Sequence, residues 1–248
     1  MGSNKTVFFI TGILLVILGV FMIIPYGIQL LYNEDNNSFL SSSIITVFIG
    51  ILVILVNLKK DNQLNLQQAF LFSVLAWTSI ALFGSLPFML SNLKLTFSDA
   101  FFESMSGITT TGATILSNIE NSPKGILIWR AMLQWLGGIG VILMAITLMP
   151  IMNIGGMQLL KISSYDTSEK ILPKSKQISL RLIMVYLFLT LFCAIFYKIF
   201  GMDFFDSITH SMTTIATGGF SNYDQSIGYF NNPYIEIISI LFILLGSI

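Results

Sequence analysis

The sequence predicts an all-α integral membrane protein built from repeated span–re-entrant helix–span units, with two extra spans at its N-terminus. Three observations predict it. Hydrophobic residues make up 54% of the chain and charged residues 10%, where a soluble domain carries about 25% charged residues, so there is too little polar surface to face water. Five stretches approach the ~20 apolar residues that a helix needs to cross the hydrocarbon core: Val7–Leu31, Ser42–Leu58, Ala69–Leu90, Ile126–Met152 and Ile178–Phe200. A sixth begins near Pro233 and is still apolar at Ile248. Finally, two shorter apolar segments, Ser98–Ile108 and Phe204–Ile215, are near-copies of each other.

The first span follows Lys5 and could be mistaken for a signal peptide. It is longer than an ordinary h-region and lacks a small-residue cleavage site, so it reads as a retained helix. Met1-Gly2 with Thr6 fits a myristoylation pattern, which adds little to a chain already crossing the bilayer. Pro25, Pro87 and Pro150 fall where spans end or kink, because the ring removes a backbone donor. Lys59 and Lys60 follow the second span, and Lys161, Lys170, Lys174 and Lys176 precede the fifth, with Arg181 where that loop ends. The other loops hold Glu34, Asp35, Glu120, Asp203 and Asp224 against Lys94 and Lys198. The positive-inside rule makes the Lys-rich loops and the N-terminus cytoplasmic.

The expected division is therefore 1–64 for two N-terminal helices, 65–155 for a first unit, 156–177 for a cytoplasmic linker and 178–248 for a second unit, truncated in its last span. This topology closes only if Ser98–Ile108 dips into the membrane and returns on the same side. Eleven helical residues rise about 16 Å, half a bilayer. Phe204–Ile215 must do the same. Such backbone is tolerated only where protein buries it or where it lines a water-filled cavity.

At a constant offset Asp99 pairs with Asp206, Ser104-Met105 with Ser211-Met212, Ile108 with Ile215, Thr110 with Thr217, and Gly112 with Gly219. Internal repeats in membrane proteins form pseudosymmetric units around a shared pathway. A Thr/Gly stretch after a short helix suits cation dehydration. Backbone carbonyls replace the water shell of K⁺, and glycine supplies the unusual dihedrals needed to aim them along one axis. The helix before each stretch points its negative C-terminal end at the cation. Asp99 and Asp206 stand where N-caps are expected. The candidate filter residues are Thr109, Thr110, Thr111, Gly112 and Ala113 in the first copy, and Ala216, Thr217, Gly218, Gly219 and Phe220 in the second. K⁺ would be held at Thr110, Thr111, Gly112, Thr217, Gly218 and Gly219.

These motifs make the resemblance specific. Asp99–Ala113, Arg130–Gly140 (RAMLQWLGGIG), Gly155–Gln158 and Ile215–Ser221 closely resemble TrkH-type subunits of the Trk/Ktr/HKT cation transporter superfamily. The likeness runs from about Asn65 to the last residue, and the two N-terminal spans also look TrkH-like. The resemblance implies K⁺ uptake across a bacterial inner membrane, with no cofactor beyond K⁺ held in the filter. It also implies a homodimer and cytoplasmic nucleotide-binding regulatory subunits of the TrkA type. In that family four units surround one pore and each contributes a filter glycine. Gly112 and Gly219 match the first two; the third unit, with its gate loop, and the fourth have no counterpart here, so the chain reads as the N-terminal part.

Other residues leave choices open. Gly137-Gly138-Ile139-Gly140 reads as helix packing or a hinge beside the pore. Arg130 is either a functional intramembrane charge or a side chain snorkelling to the outer surface. Glu103, whose counterpart is His210, is expected to bond backbone behind the filter, the other reading being a cation site. The Lys-rich segment before the fifth span is either a topogenic signal or a docking site for the regulatory subunit. Cys193 reads as a small buried hydrophobe. A zero net charge argues against nucleic acid. One His and one Cys argue against a metal centre, and no H-E-x-x-H or Walker A motif suggests an enzyme. Na⁺ or proton-coupled symport on the same scaffold is the competing function.

Overall fold

A computed structural model of the chain describes residues 4–34, 36–58, 64–152 and 168–247. Lys59, Lys60, Lys161, the Gly155–Gln158 motif and most of the expected linker lie outside the described residues, as do the side chains of Lys170, Lys174 and Lys176. The described residues are all helical or irregular. In order the helices are α1 (Lys5–Phe21), α2 (Ile23–Leu31), α3 (Ser38–Val56), α4 (Leu66–Gly84), α5 (Leu86–Leu90), α6 (Phe97–Ile108), α7 (Lys124–Met152), α8 (Ser168–Ile199), α9 (Phe204–Ile215) and α10 (Pro233–Ser247).

Five helical spans are long and apolar enough to cross a membrane: Lys5–Leu31, Ser38–Val56, Leu66–Leu90, Lys124–Ile146 and Gln177–Ile199. They coincide with the five stretches read from the sequence. Two of them break where expected. The first is interrupted at Met22, three residues before Pro25, and the third at Ser85, two before Pro87. Each ring lacks the N–H that would close the preceding turn. At the second break the carbonyl of Gly84 accepts the Trp129 indole N–H at 2.9 Å.

The α1 and α3 helices meet through small residues. A Cβ on Gly12 would stand 2.9 Å from the Gly50 carbonyl oxygen, and Ser43 donates to the Gly19 carbonyl at 2.6 Å. Close backbone approach of this kind holds helices together where no water-driven force acts between them. Long apolar side chains such as Ile17, Phe48, Val74, Phe188 and Ile240 stay exposed, as a lipid-facing surface requires.

The interior divides into two clusters. One gathers Met22, Phe39, Phe88, Ile126, Trp129 and Leu133 around the first half of α7. The other gathers Tyr186, Cys193, Tyr197, Met202, Ile235 and Phe242 between α8, α9 and α10. The short helix α6 sits on the first cluster through Ala100, and α9 spans both, with Phe205 in the first and Ile215 in the second. The N-terminal helices are tied to the first by Glu34, whose carboxylate accepts the backbone N–H of Lys124 and, at 3.4 Å, of Gly125. A carboxylate there satisfies the free donors at the start of α7.

Candidate functional site

The two short helices start and stop by the same rules. Thr96 is extended (φ −68°, ψ 164°), and its hydroxyl accepts the N–H of Asp99 at 3.3 Å and donates to Asp99 Oδ2 at 2.7 Å. Asp203 is extended too (φ −70°, ψ 174°), and its carboxylate accepts the N–H of Asp206 at 2.6 Å. The N-caps thus lie three residues ahead of Asp99 and Asp206, which corrects the expectation from sequence. A cap must keep extended backbone. Asp99 and Asp206 are already helical and act as first-turn acids at the positive end of the helix dipole.

At the other end each helix closes in a Schellman motif. Thr110 donates to the Gly107 carbonyl and Thr111 to that of Ser106, both at 3.0 Å. The equivalent bonds run from Thr217 to Thr214 at 3.0 Å and from Gly218 to Thr213 at 2.9 Å. Glycine normally takes the left-handed position of this motif. Here it is Thr110 (φ 54°) and Thr217 (φ 52°), and a β-branched residue with positive φ is a strained one. Two residues further on, Gly112 (φ 78°) and Gly219 (φ 82°) are left-handed again.

The two Thr/Gly stretches lie against each other. A Cβ on Gly112 would fall on the carbonyl oxygen of Gly218, so only glycine fits. Thr109, Thr111, Ala113, Thr217 and Gly219 are exposed, Thr110 and Gly112 half-buried, and Ala216, Gly218 and Phe220 buried. Helices from behind press on both: Gly137 of α7 abuts the carbonyl of Ile108, and Gly246 of α10 abuts that of Ile215. Gly138 packs on Ala216, so Gly137 and Gly138 serve packing. A cavity of about 160 Å³ lies beside the second stretch, lined by His210, Thr214, Thr217, Gly219, Ser226 and Ser239.

Side chains behind the stretches differ between the copies. Arg130, 1% exposed, pairs with fully buried Glu103, Nε to Oε1 at 2.7 Å. It does not snorkel, because this carboxylate lies within the protein. Glu103 Oε2 accepts the N–H of Ile115 at 3.0 Å, and Thr114 donates to both carboxylate oxygens. Arg130 also donates to Thr114 Oγ1 at 3.0 Å and to the Ser221 carbonyl at 2.8 Å. In the second copy His210 takes the place of Glu103, with Nε2 at 2.9 Å from Ser221 Oγ and Nδ1 at 2.9 Å from the Asp206 carbonyl. Buried Asp206 accepts from Asn222 at 2.7 Å and from the Tyr223 hydroxyl at 2.6 Å. Burial first, and then Asp206, raise the Tyr223 phenol above its ordinary pKa, so it remains the donor. Asp224 joins the loops by accepting the N–H groups of Asn118 and Ile119, each at 3.1 Å.

The TrkH family profile, described as a cation transport protein, matches residues 36–248. The chain belongs to the TrkH family. It is 40% identical over 242 residues to the Trk system potassium uptake protein TrkH of Escherichia coli K12, covering 96% of this chain and 50% of that protein. The TrkH of Vibrio parahaemolyticus is 38% identical over 247 residues, 98% of this chain and 51% of that one. The crystal structure of the potassium transporter TrkH from Vibrio parahaemolyticus superposes with a TM-score of 0.89 at 35% identity, over 100% of this chain and 50% of that one. The chain thus spans about half the length of these TrkH relatives.

The candidate residues taken from sequence all fall in the two stretches that meet. Two that sequence reasoning missed stand one position beyond: Thr114 and Ser221 continue the same offset and are both hydroxylic, which could have marked them. Gln134 gave no such signal.

Proposed function

We propose that this chain supplies two filter strands of a K⁺-conducting pore in a multi-span bacterial inner-membrane protein. The observation that carries the reading is the pair of Thr/Gly stretches in contact. In each, left-handed residues at Thr110 and Gly112, or Thr217 and Gly219, flank a residue of ordinary hand. Alternating hand turns successive peptide planes so that carbonyls line one axis, which is what a dehydrating K⁺ needs. The α6 and α9 helices would then be re-entrant pore helices whose negative C-terminal ends face the ion. Names of the relatives, potassium uptake proteins, point the same way.

In this reading the ion moves down its gradient between backbone oxygens, and no side chain exchanges a proton with it. Coupled symport calls instead for a carboxylate free to titrate. Buried Glu103 is engaged by Arg130, and buried Asp206 by Asn222 and Tyr223, which favours the passive pore. The N-terminus on the cytoplasmic side, a homodimer and a TrkA-like nucleotide-binding regulatory subunit complete the proposal. The test is K⁺ uptake from low external K⁺, by a bacterial strain lacking its own uptake systems and carrying the complete gene. Gly112→Ser should lower discrimination between K⁺ and Na⁺, because a side chain at φ 78° displaces the Gly218 carbonyl. Uptake that vanishes when a proton gradient is collapsed at constant membrane potential would favour symport instead.

A further inference from the structure

The last helix of the first unit reaches across to the second unit with two side chains one turn apart. Arg130 and Gln134 are four residues apart on α7 and so share a face. Arg130 donates to the Ser221 carbonyl at 2.8 Å, and Gln134 Oε1 accepts the Phe220 N–H at 3.0 Å. Phe220 and Ser221 directly follow Gly219, and the guanidinium stands 4.2 Å from the Phe220 ring centroid. The same guanidinium holds the first strand through Thr114 and through Glu103, which binds the Ile115 N–H. One buried cation therefore grips the exits of both strands.

Gln134 adds an independent observation. It is fully buried, and its Nε2 has no hydrogen-bond partner among the described residues. The amide lies hard against Gly218, where a Cβ would overlap it, and Nε2 would be 3.8 Å from a Cβ on Gly112. A buried donor left idle is costly, and packing alone would be served as well by leucine. Its carbonyl end, on the Phe220 N–H, is what requires an amide.

We propose that Arg130 and Gln134 are positioning residues that fix the spacing of the two filter strands and thereby set which cation passes. They act through the backbone at Phe220 and Ser221 and do not touch the ion. This rests on the filter reading above. Lysine at 130 keeps the charge but lacks the planar fork that serves Glu103, Thr114 and Ser221 together. Leucine at 134 keeps the volume and releases the Phe220 N–H.

The experiment measures the ratio of K⁺ to Na⁺ uptake in the same cells, expressing the complete gene with Arg130→Lys, Gln134→Leu or Gly112→Ser. A ratio does not depend on how much protein reaches the membrane, so a merely structural role would leave it unmoved. The expected result is a fall of roughly fivefold or more in both α7 variants, the scale set by losing one or two hydrogen bonds. If Arg130→Lys fails to accumulate, Gln134→Leu decides alone. A normal ratio in the α7 variants beside a degraded one in Gly112→Ser overturns the positioning role and leaves the filter standing. A normal ratio in Gly112→Ser as well overturns both.

Discussion

The two units share a backbone and differ in what braces it. Both short helices carry an oxygen cap three residues before an aspartate, a Schellman ending with threonine in the left-handed seat, and a left-handed glycine two residues later. Behind that backbone the first unit uses a buried ion pair, Glu103 with Arg130, and the second a hydrogen bond, His210 with Ser221, backed by Asp206, Asn222 and Tyr223. The difference teaches that main-chain geometry is the shared requirement and the supporting side chains are interchangeable solutions to it. It also shows that the units are not independent, since Arg130 and Gln134 of the first hold the backbone of the second.

The comparison breaks most easily at the ion pair. Glu103→Ala leaves a buried guanidinium without its partner, which costs about 3–5 kcal/mol; thermal unfolding of the detergent-solubilised protein should show this as the largest loss among these variants. The glycines come next. Gly112→Ala should cost about 2–4 kcal/mol, combining left-handed strain with a clash on the Gly218 carbonyl. Gly219→Ala meets nothing within 4 Å and should cost only the strain, about 1–2 kcal/mol. Equal losses at the two glycines would contradict the contact between strands. The smallest effect is expected at His210→Gln, which can keep one of two hydrogen bonds and should lose about 1 kcal/mol. A loss there as large as at Glu103 would mean that the two braces carry equal weight.

Much of this was legible in the sequence. Five spans could be read because lipid demands long apolar runs, and the two short helices because eleven or twelve residues cannot cross a bilayer. The repeat alone puts Gly112 and Gly219 at equivalent positions. The N-caps are not legible in the sequence, because an acid satisfies the first turn from either the cap or the third helical position, and Thr96 is the weaker signal beside Asp99. Threonine at positive φ was hidden, since a β-branched side chain ordinarily argues against that backbone. The destination of Arg130 and the role of Gln134 depend on how two units pack, which no local pattern encodes.

Two stretches that form one cation filter should respond alike to substitution. K⁺ and Na⁺ uptake should be measured in cells lacking their own uptake systems, with the complete gene carrying Gly112→Ser or Gly219→Ser. Both substitutions should lower the K⁺ to Na⁺ ratio, because each puts a side chain on a left-handed residue beside the carbonyls. Discrimination left intact by both would contradict it, and the paired stretches would then serve packing alone.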